Sequence, residues 1–267
     1  MKNRIITLAA VMAVGIPTLA ACGSSADSTQ TDTTTTVQVE TESTTTGTDT
    51  TTTSSEATTA ASDTTTSTGE VNPYAWLGLQ DMPKCNYLDI LSTGRYIQEL
   101  EYHALGVTMD KTEAVDGVNS FSKDKNTTSY SVDGKVISIN EGSKFYMEYD
   151  MGDLSETAKE QLETAMKEGK NTSGRNFAGT GKGTIPTIED DKTEYEYYEY
   201  NNPESEEAGT TMTERFYMKD GDVYAIYEKI NIGASDVESV QIIKSISGDV
   251  PAETFKIPDL SEYQKYE

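Results

Sequence analysis

A mainly β fold of the α+β kind, an antiparallel sheet with one helix, is what residues 71–267 of this 267-residue chain predict. Three observations carry the prediction. Short runs alternate apolar and polar side chains with the period of two that half-buried strands require. Asp-Gly and related pairs separate the runs, the strongest short-range signal for hairpins. Only one stretch repeats its apolar residues at helical spacing.

The elements follow in order. "NPYAWLGLQDMPKCNYLDIL" holds the only tryptophan and leads into the first strand without a period of its own. "RYIQELEYH" sets Tyr96, Gln98, Leu100 and Tyr102 on one side and Glu99, Glu101 and His103 on the other. The runs "GVTMDKTEAV", "NSFSK", "TSYSV", "KVISIN" and "KFYMEY" come next, with Asp116-Gly117, Asp133-Gly134 and Glu141-Gly142 as turns. This is the pattern of a meander. In "GDLSETAKEQLETAMKEG", Leu154, Ala158, Leu162, Ala165 and Met166 form one stripe, with Asp153 as N-cap, Glu156 three residues on and Gly169 as the stop. The stripe is modest, so the helix is expected to lie on the sheet. Strands resume through "NFAGTGKGTI", "TEYEYYEY", "TMTERFYMK", "DVYAIYEKI" and "VESVQIIKSI", with a hairpin turn at Lys219-Asp220-Gly221-Asp222, and the chain closes with "VPAETFKIPDLSEYQ".

What precedes residue 71 has a different composition. Lys2 and Arg4 begin a positive region, Ile5 to Ile16 form an apolar stretch too short to span a bilayer, and Leu19-Ala20-Ala21-Cys22 matches the bacterial lipobox. Residues 1–21 therefore read as a lipoprotein signal peptide, and Cys22 as the thiol that receives a diacylglyceryl group. Each acyl chain contributes about 0.8 kcal/mol per buried CH₂, so two or three hold a protein on a membrane. Residues 22–70 read as a stalk: 21 of the 40 residues from Thr29 to Thr68 are Thr, and none is aromatic. Such a stretch buries too little apolar area to offset its ordering entropy. As a coil it spans roughly 40 Å. The expected location is the extracytoplasmic face of the cell membrane, with residues 71–267 displayed toward or through the cell wall.

Charge and side-chain inventory exclude several functions. The chain totals −24; residues 1–70 hold eight of the acidic and two of the basic residues, which leaves −18 on the rest. That sign argues against nucleic acid and anionic lipid surfaces as partners. With Cys22 acylated, Cys85 has no disulfide partner, and the single histidine, His103, can build neither a metal site nor a catalytic triad. Glu99 and Glu101 share a side and could pair as carboxylates or bind Ca²⁺, but a solvated strand face accounts for them. "AGTGKGT" at 178–184 is not a phosphate loop: Asn176 stands where the pattern needs glycine, Gly183 follows Lys182, and Pro186 stands where a helix should open. No cofactor, no metal and no enzymatic activity are expected, and the protein is expected to be a monomer.

The order of these features resembles one family. A lipobox and stalk precede "AVDGVNSFSK" and "YSVDGKVISINEGSKFYMEYDM", then a central helix, a glycine-rich strand running into "YEYYEY", "FYMKDGDVYAIYEK", and a terminal "DVPAETFKIPDLSEYQ". Over residues 95–265 this is similar to the lipoprotein-carrier superfamily (LolA/LppX-like), and in particular to its Gram-positive lipoprotein members. The resemblance implies a curved antiparallel half-barrel with a helix across its concave side, and a concave face that holds an acyl chain or other apolar ligand. No arginine here matches the one that gates the cavity of Gram-negative carriers.

The tyrosine strand is the candidate lining. In "TEYEYYEY", Tyr195 and Tyr197 share one parity and Tyr198 and Tyr200 the other, so either a bulge at Tyr197-Tyr198 turns all four rings to one face or rings cover both. The expectation is that this strand lines the concave side opposite the helix. There Tyr195, Tyr197, Tyr198 and Tyr200, with Tyr146, Met147, Phe216, Met218, Tyr224, Ile226 and Tyr227, would form a ligand cavity. Two other readings fit the residues: an envelope protein-interaction or sensing module whose core is filled, and a carbohydrate-binding module.

Overall fold

The computed structural model describes residues 71–152, 154–202, 210–232 and 235–266. The expected signal peptide, Cys22, the Thr-rich stretch and the expected cap Asp153 lie outside the described residues. A 3-10 turn, Ala75–Leu77, and a short helix α1, Asn86–Leu91, come first. A meander follows: β1 (Arg95–Ala104), β2 (Val107–Asp116), β3 (Asn119–Lys123), β4 (Thr127–Val132), β5 (Lys135–Asn140) and β6 (Phe145–Asp150). Helix α2 spans Leu154–Glu168. The second group is β7 (Asn176–Gly183), β8 (Tyr195–Asn202), β9 (Thr210–Lys219), β10 (Asp222–Ile232) and β11 (Ser235–Ser247). A 3-10 turn, Ala252–Phe255, and β12 (Gln264–Lys265) end the described chain.

All twelve strands make one open sheet in the order β12-β6-β5-β4-β3-β2-β1-β11-β10-β9-β8-β7. The fold is thus mainly β. Neighbours are antiparallel except β12, which runs parallel to β6. The first strand sits near the middle because β1 pairs with β2 on one side and β11 on the other. Two arms result, β2 to β6 with β12, and β11 back to β7, and α2 carries the chain between their ends.

Turn chemistry sets the hairpins. Asp133-Gly134 and Asp220-Gly221 both have positive φ at each residue, 50° and 76°, then 53° and 82°, the twist that matches two antiparallel strands. Leu105-Gly106 does the same at 52° and 74°, a hairpin joining β1 to β2 that leaves Leu105 exposed. At Glu141-Gly142 the left-handed residue is instead Lys144, so that connection is longer. Gly169 ends α2 at φ 62°, where an added Cβ would lie 2.4 Å from the Val71 side chain.

The buried residues form three groups. The largest joins Trp76, Leu77, Leu79, Met82, Tyr87 and Leu88 of the N-terminal segment to Tyr96, Val115, Tyr200, Phe216 and Ile226 on one face of the sheet, and α2 adds Ala165, with Leu162 and Met166 against its edge. The second lies on the opposite face of the second arm and holds Ile185, Tyr195, Tyr217, Ala225, Tyr227 and Val240. The third lies on that same opposite face of the first arm, where Ile257, Leu260 and Tyr263 of the C-terminal segment pack on Tyr130, Ile137 and Ile139. At about 25 cal/mol per Å² of apolar surface, these contacts make the two flanking segments parts of the core.

Candidate functional site

The tyrosine strand does not turn its rings to one face. β8 pairs with β9 without a break from Glu196↔Met218 to Asn202↔Met212, so alternation holds and the rings cover both faces. Tyr198 and Tyr200 face the N-terminal segment; Tyr195 and Tyr197 belong to the second group. The bulge in this region falls on β7, between Phe177 and Gly179. "AGTGKGT" is accordingly part of an edge strand, and Gly181 is there because Tyr197 lies across it: an added Cβ would sit 2.5 Å from that ring.

The eleven candidate lining residues therefore divide among several places. Tyr200, Phe216 and Ile226 are buried in the largest group, with Tyr198 and Met218 packed against it. Tyr195 and Tyr227 are buried in the second group, with Tyr197 and Tyr224 at its edge. Tyr146 packs against the third. Met147, next along β6, faces the other way. Tyr146 and Met147, on β6, are separated from β8 by the eight strands β5, β4, β3, β2, β1, β11, β10 and β9.

What the structure gathers instead, on the covered face, is a row of buried polar side chains. Register sets Tyr200 beside Glu214, Glu214 beside Glu228 and Glu228 beside Ser239, across β8 to β11. One residue pair further, Gln241 is beside Tyr102, and on β1 and β2 Gln98 is beside Glu113. Arg175, just before β7, closes on this row: its Nε and Nη2 donate to the two Glu214 oxygens at 2.7 Å each, and its Nη1 donates to the Leu77 carbonyl at 3.2 Å. Both side chains are under a tenth exposed. Gln98 Nε2 donates to Glu113 at 2.9 Å, and Lys111 pairs with the other Glu113 oxygen at 2.5 Å.

Electrostatics distinguishes these acids. Glu228 is fully buried and, among the described residues, accepts only from Ser239 Oγ, at 3.3 Å. Burial, and then the neighbouring Glu214 charge, push its carboxyl up to about 8, although Arg175 pulls the other way. Burial works against the Arg175 charge too, yet the adjoining Glu214 carboxylate holds the guanidinium above its usual range. Burial also raises the Tyr87, Tyr96 and Tyr200 hydroxyls, so all stay protonated. Tyr200 Oη, Glu228 Oε1 and Gln241 Nε2 are buried without a hydrogen-bond partner among the described residues. The row can hold a proton and an ion pair in place.

The sequence held a signal for this row: Glu113, Glu214 and Glu228 share strand parity with Val115, Phe216 and Ile226, so each is a charge at an inward position. Arg175, in a loop, carried none. The other candidates lie elsewhere. Glu101 accepts from His103 Nε2 at 2.9 Å and pairs with Lys244 at 3.1 Å, and Lys244 also reaches Asp110 at 2.5 Å, a surface network on the opposite face. Cys85 is buried, and burial pushes its thiol up to about 11. Among the described residues no group of three His, Cys, Asp or Glu side chains could hold a metal ion, and no helix is long and apolar enough to cross a membrane. No protein-family model matches the chain, and no curated protein matches it.

Proposed function

We propose that this chain is an extracytoplasmic lipoprotein, held on the membrane by acyl chains on Cys22 and displaying, on the tether of residues 22–70, a non-catalytic binding module. Its sheet is curved as in the lipoprotein-carrier superfamily, with the concave face filled by the chain itself. The observation that supports a filled face is the burial of Tyr200, Phe216 and Ile226 beneath Trp76, Leu77 and Leu88 in one continuous cluster. An acyl chain, the ligand expected from the family resemblance, would have to displace that segment and lie against Arg175, Glu214 and Glu228. Removing the segment would free the Leu77 carbonyl from Arg175 and set an apolar ligand against buried ions, which is unfavourable unless those ions stay fully paired. The partner is therefore met on an outer surface, as in an envelope interaction or sensing module.

Two measurements test this. Cys22→Ala should move the protein out of the membrane fraction or leave an unprocessed precursor, and should abolish labelling by a palmitate analogue; unchanged labelling refutes the anchor. The purified protein should show no saturable binding of a fluorescent fatty acid. Saturable binding that Phe216→Ala weakens without a loss of stability would return the apolar-carrier reading.

A further inference from the structure

We propose that the covered face of the sheet continues, on the first arm, into a binding surface for a neutral polysaccharide. It rests on the display reading above only for where the glycan is met. The register defines the surface. Carried outward from Val115 and Glu113 of β2, the same face presents Ser120 and Ser122 on β3, Ser129 and Ser131 on β4, and Ser138 on β5. Ser120 opposes Ser131, and Ser129 lies between Ser122 and Ser138, so the hydroxyls form a ladder across three strands. Beside Ser138 on β6 is Met147, flanked on that strand by Phe145 and Tyr149, and Tyr266 follows β12 alongside. Phe145, Tyr149 and Tyr266 are 38%, 59% and 66% exposed, large for rings, whereas the serines are half-buried.

Two features separate this face from an ordinary solvated one. Within β3 to β6 and β12 it carries no charged residue, in a domain of net charge −18. On the next strand, β2, the same face carries Glu113, which is paired with Lys111. An ordinary solvated face in this same protein, at β1 and β11, bears Glu99, Glu101 and Lys244 instead. Three of the five hydroxyls are also unspent: Ser129 donates to Ser138 at 3.3 Å, while Ser120, Ser122 and Ser131 make no side-chain hydrogen bond among the described residues.

The chemistry selects the occupant. A serine hydroxyl donates one hydrogen bond and accepts two, which suits a ligand that is itself covered in hydroxyls. Exposed rings offer apolar faces to the C–H faces of sugars and keep a polar tip in water. Phe145 and Tyr149 are four residues apart on one strand, about 13 Å, so they engage an extended chain of several sugars rather than one. An uncharged ligand needs no counter-charge, and the surface provides none. An anionic polymer would instead meet the field of an acidic domain. A hydroxyl floor is unsuited to an acyl chain, and the far side of this arm is already closed by Ile257, Leu260 and Tyr263.

The experiment is affinity electrophoresis of the purified full-length protein through gels containing soluble starch, mixed-linkage β-glucan, galactomannan or arabinoxylan, with pectate as the anionic control. At least one neutral polymer should retard the protein and pectate should not. Tyr149→Ala and Tyr266→Ala should each weaken retardation about tenfold, as for an aromatic anchor. Ser129→Glu should abolish it, and Phe177→Ala, which removes an exposed ring from β7 at the far edge, should leave it unchanged. Circular dichroism checks that each variant is folded. Retardation by no neutral polymer, or retardation insensitive to Tyr149, Tyr266 and Ser129, overturns the proposal. So does concentration-dependent dimerisation lost in Tyr149→Ala, which would assign the face to a second copy. The binding assay uses no membrane, so its failure is distinguishable from failure of the anchor.

Discussion

Replacing Glu228 by Gln should stabilise the protein above pH 8 and change it little at pH 5. In the folded protein the Glu228 carboxyl is raised to about 8 by burial and by Glu214, against an ordinary value of 4.5. Glu214 faces it from β9, Ser239 from β11, and Arg175 and the more distant Glu113 act through charge. A carboxyl raised in the folded state contributes stability that is fully present below its unfolded value and is lost as pH rises through the folded one. Between 4.5 and about 8 the folded protein keeps a proton that the unfolded chain has released, so the folding equilibrium constant falls about tenfold per pH unit on account of this one group. Over the whole window the loss is on the order of a few kcal/mol. Glutamine fills nearly the same volume and never ionises. Urea unfolding of both proteins at pH 5, 7 and 9 isolates the effect, because titrating groups that do not interact with Glu228 cancel in the difference. The variant should gain on the wild type steadily from pH 5 to 8 and then hold its lead. A difference that stays constant with pH would show that Glu228 is ionised in the folded protein and that the buried row is arranged otherwise.

Three further outcomes follow from the same packing. Arg175→Met leaves Glu214 buried without its counter-charge and should cost about 3–5 kcal/mol in urea; Arg175→Lys should restore only part, because the bidentate fork is lost. Gly181→Ala drives a methyl group into the Tyr197 ring and should cost about 1–3 kcal/mol, most of it recovered when Tyr197→Ala is added. Cys85 should resist a thiol reagent at pH 8 in the native protein, since burial raises its pKa to about 11, and should react at once in denaturant; fast native labelling would mean that the segment before α1 opens.

Most of the sheet was legible because most strands alternate and three of the hairpin turns carry Asp-Gly. The helix was legible because its apolar stripe and Gly169 agree. The N-terminal segment was not: Trp76, Leu77, Leu79 and Leu88 have no common period, since α1 is only six residues long and the rest is turn and loop. Its role as the cover of one face comes from tertiary packing alone. Leu105-Gly106 was overlooked because leucine is an unusual residue at positive φ. The tyrosine strand left two arrangements open, and its parity could not decide between them; pairing with β9 does. The serine ladder spans β3, β4 and β5, and only register brings those residues together. The buried acids were visible as charges at inward strand positions, but their counter-ion, Arg175, lies in a loop with no pattern to mark it.

Native-state hydrogen exchange on residues 85–92 tests the central claim, that the segment covering the sheet is core and not a lid over a ligand cavity. These amides include Tyr87, whose N–H donates to Asp222 at 2.9 Å, and Asp89 and Ser92, which donate to Cys85 and Leu88 carbonyls at 3.0 and 2.9 Å. If the segment is core, they exchange only with global unfolding, at the same free energy as β9 and β10, and adding a fatty acid changes nothing. Exchange through a lower-energy opening that β9 and β10 do not share, slowed when a fatty acid is added, would contradict the account.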